Sequence, residues 1–77
     1  MRDILELTET FKRTETFKRE FPTTLLKRGS LLKIFEMWKY EERPVMLGYL
    51  SFLEAIGVIT VEEAMRIRDL AEEGDEE

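Results

Sequence analysis

The chain has 77 residues, 38% of them charged, and a net charge of −5. That length holds one domain with one core, and domains of this size bury only about 60–65% of their unfolded surface, so many lean on a metal, a disulfide or another chain. Histidine, cysteine, asparagine and glutamine are all absent, which rules out disulfides and removes the usual metal ligands, nucleophile–base pairs and adenine-reading amides.

High charge without thermolabile Asn, Gln and Cys is the profile toward which hyperthermophile proteins tend. No apolar run approaches the ~18 residues a membrane span needs. The N-terminal Met1-Arg2-Asp3-Ile4 lacks a signal-peptide pattern, so the expected location is cytoplasmic. Charge is unevenly spread. Residues 1–43 carry a balance of +2 and residues 44–77 a balance of −7, a dipolar arrangement suited to a basic partner patch or to head-to-tail pairing.

The first element contains a repeated hexapeptide: Thr8-Glu9-Thr10-Phe11-Lys12-Arg13 recurs as Thr14-Glu15-Thr16-Phe17-Lys18-Arg19. Two copies are too few and too short for a solenoid. A helix over this segment would pair Glu9 with Arg13 and Glu15 with Arg19, and would place Ile4, Leu7, Phe11, Phe17 and Phe21 on one stripe. A strand would put Phe11, Phe17 and Phe21 on one face opposite the threonines. A mobile arm that orders on contact with a partner is the third possibility. Helix or arm is preferred over strand for residues 1–22.

Residues 23–73 read as a helical core. Thr23 or Thr24 caps a short turn through Leu25, Leu26 and Arg28, interrupted by Gly29. Ser30 caps a helix from Leu31 to about Glu42, whose apolar positions Leu31, Leu32, Ile34, Phe35, Met37, Trp38 and Tyr40 cover more than one face. Pro44 opens the next helix in the first turn, where its missing N–H costs nothing, and that helix continues from Val45 to Ile56. Gly57 provides a left-handed C-cap followed by Val58 and Ile59. Thr60-Val61-Glu62-Glu63 is a capping box, with Ile59 as a hydrophobic staple toward Ala64. The last helix repeats Val61, Ala64, Met65, Ile67 or Arg68, and Leu70-Ala71 until Gly74, after which residues 74–77 form a disordered acidic tail. The expectation is an all-α domain, with a three-helix core, a C-terminal helical hairpin and an N-terminal arm or helix.

Few residues suit catalysis. Glu62–Glu63 and Glu72–Glu73 lie on predicted exposed helix with nothing apolar to raise a pKa. Ser30 and Ser51 have no histidine to activate them, and no Gly-rich phosphate loop occurs. The acidic stretch from Glu72 to Glu77 lacks the alternating spacing of a calcium loop. A non-enzymatic protein without metal or cofactor is therefore expected.

Binding fits the residues better. Three basic pairs, Lys12-Arg13, Lys18-Arg19 and Lys27-Arg28, interleave with phenylalanines, a combination suited to phosphates and base stacking. The hairpin from Gly48 to Leu70 has a helix-turn-helix outline, but its second helix is acidic and would repel DNA. Phe, Met and Trp are enriched at protein interfaces, so Phe11, Phe17, Phe21, Ile34, Met37 and Trp38 are the expected anchors for a larger protein. A nucleic-acid-associated protein is the runner-up, and a homodimer with an apolar interface the third reading.

The segment Leu31-Leu32-Lys33-Ile34-Phe35-Glu36-Met37-Trp38 resembles the plug by which clients dock on the replication sliding clamp. In that motif a Gln is followed three residues on by an aliphatic residue, and then by two adjacent aromatics. Ile34 and Trp38 match, Met37 replaces the first aromatic, and Leu31 stands at the Gln position. In size and composition the chain is also similar to the small, highly charged proteins of Thermococcales-type archaea, among them a family of sliding-clamp inhibitors. That resemblance implies a regulator of DNA replication that occupies the clamp's client-binding surface.

Overall fold

The computed structural model describes residues 4–40 and 42–73, and its regular secondary structure is entirely helical. Four helices follow one another: α1 (Ile4–Glu20), α2 (Arg28–Lys39), α3 (Arg43–Ala55) and α4 (Val61–Glu73). Helices α1 and α3 each pack on both α2 and α4, and α2 also meets α4, while α1 and α3 lie diagonally apart. The repeat segment is therefore a fourth helix of the bundle rather than an arm beside a three-helix core. The predicted tail, residues 74–77, lies outside the described residues.

The hexapeptide repeat explains how α1 docks. Six residues advance an α-helix by about 600°, so equivalent positions in the two copies point about 120° apart. The copies cannot share a face. Phe17 is fully buried, whereas Phe11 is half exposed. The inward line of α1 is Thr10, Thr14, Phe17 and half-buried Phe21, so the expected apolar stripe is corrected: Ile4, Leu7 and Phe11 point outward. Thr14 satisfies its buried hydroxyl by donating to the Thr10 carbonyl at 3.0 Å, the local back-bond by which threonine tolerates a helix interior. Phe21 continues the seam, its ring centroid 4.9 Å from that of Phe17.

Polar ties hold α1 in that orientation. Glu9 pairs with Arg13 as expected, at 3.8 Å. Glu15 turns instead to Arg28, with Nε at 3.0 Å and Nη2 at 3.3 Å from its two oxygens. Lys18 Nζ donates to the Leu26 carbonyl at 2.9 Å, drawing the connecting segment against α1. Arg66 of α4 forks onto both oxygens of Glu20 at 2.9 Å and reaches Glu73 at 3.5 Å.

Helix α2 starts earlier than its sequence suggests. Lys27, in extended conformation, occupies the N-cap without a side-chain cap bond, and Gly29 and Ser30 lie inside the helix. Burial of Leu31, Ile34, Phe35 and Trp38 on one face drives this extra turn, outweighing the weak preferences of glycine and serine. The helix ends at Lys39, with Tyr40 as its C-cap, short of the expected Glu42.

The hairpin follows the expected local code. Pro44 sits in the first turn of α3, and Gly57 has φ +80°, where a Cβ would be strained. Thr60 N–H donates to Glu63 Oε1 at 2.8 Å, while Glu63 N–H donates to Thr60 Oγ1 at 3.0 Å. This reciprocal cap accounts for the burial of Glu63, which is only 7% exposed. Met46, Leu50 and Leu53 face inward from α3, and Ala64, Ile67, Leu70 and Ala71 from α4. Val61 and Met65, expected on the inner stripe of α4, are exposed, because Ile67 and Leu70 set the roll of the helix one position away.

Three outcomes follow. Phe17→Ala is expected to cost about 3–5 kcal/mol, whereas Phe11→Ala changes stability by about 0.5 kcal/mol or less, as read from chemical denaturation of both variants. Thr60→Ala should cost about 1 kcal/mol, because the Glu63 N–H loses its acceptor. The hydrogen bonds from Arg66 hold the Glu20 carboxyl below its ordinary value of 4.5. With the folded pKa depressed, this stabilisation is present above pH 4.5 and disappears as pH falls through the lowered value. The Tm difference between wild type and Glu20→Gln should therefore be largest above that pH and shrink below it.

Candidate protein-binding surfaces

The six apolar anchors suggested by sequence divide between core and surface. Phe17, Ile34 and Trp38 are buried, with exposures of 0, 0 and 5%, and are corrected from partner contacts to core side chains. Each lies on the inward stripe of an amphipathic helix, where burial of one large side chain is worth about 1.5–3 kcal/mol. Arg43 additionally covers the Trp38 ring, with its guanidinium carbon 4.9 Å from the centroid, a cation–π contact at the corner between α2 and α3. Phe21 and Met37 are half-buried against the core. Phe11 alone of the six stands at the surface with half its area open.

The segment that resembles a clamp plug is therefore the inner face of α2. Its matching residues, Ile34 and Trp38, are inside the bundle, and presenting them to another protein would require α2 to leave the core.

The basic pairs are also divided. Arg13, Lys18 and Arg28 bond to Glu9, the Leu26 carbonyl and Glu15 respectively. Lys12, Arg19 and Lys27 are exposed, and the first two lie seven residues apart on one line of α1. The three pairs do not combine into one basic groove.

Two exposed apolar faces emerge, on helices that do not touch. The first covers the opening turns of α1, where Ile4 and Leu5 are more than 70% exposed and Leu7 and Phe11 are 43 and 50% exposed. Ile4, Leu7 and Phe11 follow i, i+3, i+7 spacing, so they form one stripe. The sequence marks Phe11 as an anchor and sets Ile4 and Leu7 on one stripe with it, but on the same face as Phe17.

The second face is the outer side of α3, which sequence reasoning missed. Val45, Phe52 and Ile56 are 55–60% exposed, with half-buried Tyr49 on the same line. The signal was present in the sequence: α3 has apolar residues on both sides, and Arg43 and Glu54 are its only ionisable groups besides Tyr49. A groove of about 260 Å³ runs along one flank between α2 and α3, lined by Ser30, Lys33, Met37, Val45 and Tyr49. On the other flank a groove of about 290 Å³ separates α3 from α4 and includes Leu47, Ser51, Glu54, Val61, Met65 and Arg68.

Neither face gathers chemistry for catalysis. The displaced titrations, Glu20 lowered and Arg66 raised, belong to the strap between α1 and α4. Among the described residues no group of three or more acidic side chains is placed to hold a common metal ion, and no helix is long and apolar enough to cross a membrane. Comparison with known protein families, curated proteins and solved structures finds no match to this chain.

Proposed function

We propose that this protein is a non-enzymatic regulator or adaptor that binds a larger protein through the N-terminal half of α1. The observation that carries this reading is the exposed Ile4–Leu7–Phe11 stripe on a helix whose lower half is anchored in the core. An isolated exposed leucine is ordinary, but a contiguous row at helical spacing favours an apolar partner surface. Docking Ile4, Leu7 and Phe11 into a groove is the helix-in-groove mode of recognition, for which the bundle holds α1 already folded. Pre-organisation reduces the ordering cost of binding.

Lys12 lies beside that stripe and gives it a basic margin, which suits an acidic patch on the partner. The nucleic-acid reading draws on exposed Lys12, Arg19 and Lys27, and is weakened by the intramolecular bonds of Arg13, Lys18 and Arg28. A sliding-clamp inhibitor would be one member of the proposed class. In this fold it would act through α1, since Ile34 and Trp38 support the core.

Affinity capture from a nuclease-treated thermophilic archaeal lysate at high salt tests the reading. One stoichiometric protein partner should be retained by wild type and by Leu25→Glu, an exposed site off the stripe, and lost from Phe11→Glu. Circular dichroism should show the same helical content in all three. Capture that vanishes on nuclease treatment would replace this reading with the nucleic-acid one.

A further inference from the structure

The groove between α3 and α4 is separate from the α1 stripe, and we infer that it docks a cationic amphipathic helix of a partner protein. Its shape is the first argument. Buried Leu50 and Ala64 form the floor, and Leu47, Val61 and Met65 stand exposed along the walls of a space of about 290 Å³. The groove continues into a hollow of about 160 Å³ that shares Met65 and Arg68 and reaches Asp69 and Glu72. The short connection at residues 56–60 sets α3 and α4 antiparallel. A third helix laid along such a furrow inserts apolar side chains at i, i+3 or i+4, and i+7. Met65 adds an adaptable wall, because an unbranched thioether repacks around different side chains.

The second argument is charge. Glu54 lines the groove, and Asp69 and Glu72 line the hollow. Exposed Glu62 lies seven residues before Asp69, on the same outer line of α4. Among the described residues, none of these four carboxylates is within ion-pair distance of a basic group. Arg68 is the one basic side chain lining either space, and Arg66 is committed to Glu20 and Glu73. Negative charge therefore surrounds an apolar trough. Such a rim repels phosphate backbones and anionic membranes. The acids are not gathered tightly enough to hold a common metal ion among the described residues. The charge thus selects a cationic protein segment, and the apolar walls select its amphipathic form.

The position of the charge along α4 supplies the third. Glu72 stands in the last turn of this helix, which carries no basic residue. The helix dipole is negative there, so a carboxylate is unfavourable and a cation favourable. The chain leaves that charge uncompensated, and a Lys or Arg arriving in the hollow relieves it. The sequence beyond α4 continues with Asp75, Glu76 and Glu77. On its other side, α4 meets α1 through Arg66 and Glu20, so an occupant of the groove leaves the Ile4–Leu7–Phe11 stripe open.

Amide NMR titration of the full chain tests the inference, using as probe a peptide of about 14 residues, leucine and lysine patterned as an amphipathic helix. A control peptide keeps the leucines and replaces every lysine with serine. The lysine peptide should bind with a dissociation constant of about 10–100 μM and shift the amides of Leu47, Ser51, Val61, Met65 and Arg68 most. The serine peptide should bind at least about tenfold more weakly. Met65→Ser and Val61→Ser, both at exposed positions, should each weaken the lysine peptide by about five- to tenfold, while Leu25→Ser leaves it unchanged. Arg68→Glu should tighten it by about three- to tenfold. No shift up to about 1 mM peptide overturns the inference. So does binding that both wall variants leave unchanged, which marks diffuse charge attraction, or equal affinity for the serine peptide, which marks an uncharged occupant. None of these results touches the α1 reading, because the wall variants leave the Ile4–Leu7–Phe11 stripe intact.

Discussion

The seating of Phe17 in the core decides most of what the surface of this protein offers. Once that ring is buried, the roll of α1 is set, and every other residue of the repeat segment takes the direction that a 3.6-residue turn dictates. Thr10 and Thr14 go inward although they are polar, and Thr14 accepts burial because its hydroxyl can bond one turn back. Phe11, chemically equivalent to Phe17 in the repeat, goes outward. The ion pairs follow the same geometry: Glu15 meets Arg28, Glu20 meets Arg66, and Lys18 reaches the Leu26 carbonyl. A basic segment that would otherwise be free for phosphates is thereby partly used to hold the bundle together. Each exposed pair contributes little by itself, and their combined effect is to fix orientation rather than to supply the stability that the buried rings provide.

The opposite corner obeys a more local logic. Gly57 at positive φ and the reciprocal Thr60–Glu63 cap leave the chain few ways to pass from α3 to α4. A hairpin so defined presents α3 with two sides to satisfy. Its inner side contributes Met46, Leu50 and Leu53 to the core, but the helix carries enough further apolar residues to cover a second face. In a domain this small, one core cannot absorb four amphipathic helices and all their surplus. Most of the surplus falls on α1 and α3, the two helices of the bundle that do not meet, with Val61 and Met65 of α4 also left outside.

That separation leaves the molecule with two apolar faces of different surroundings. One face covers the opening turns of α1, with Lys12 at its margin. The other is the outer side of α3, where Val45, Phe52 and Ile56 stand exposed beside Lys33 of α2.

The parts of this structure that depend on neighbours in sequence were legible without coordinates. Helical content, the Gly57 turn, the capping box and the Glu9–Arg13 pair all arise from residues within a few positions of one another, where backbone geometry leaves little freedom. The absence of histidine and cysteine likewise narrowed the chemistry before any fold was known. What the sequence could not decide was the roll of each helix. The apolar residues of α1, α2 and α4 each permit more than one inward stripe, and the choice among them rests on how large side chains from distant segments interlock. Tertiary packing therefore turned Ile34 and Trp38 from plausible anchors into core, left Phe11 outside while Phe17 went in, and exposed Val61 and Met65. It also brought out the second face of α3. The physical reason is that amphipathicity specifies a sector of a helix, whereas jigsaw packing among four helices selects a direction within it.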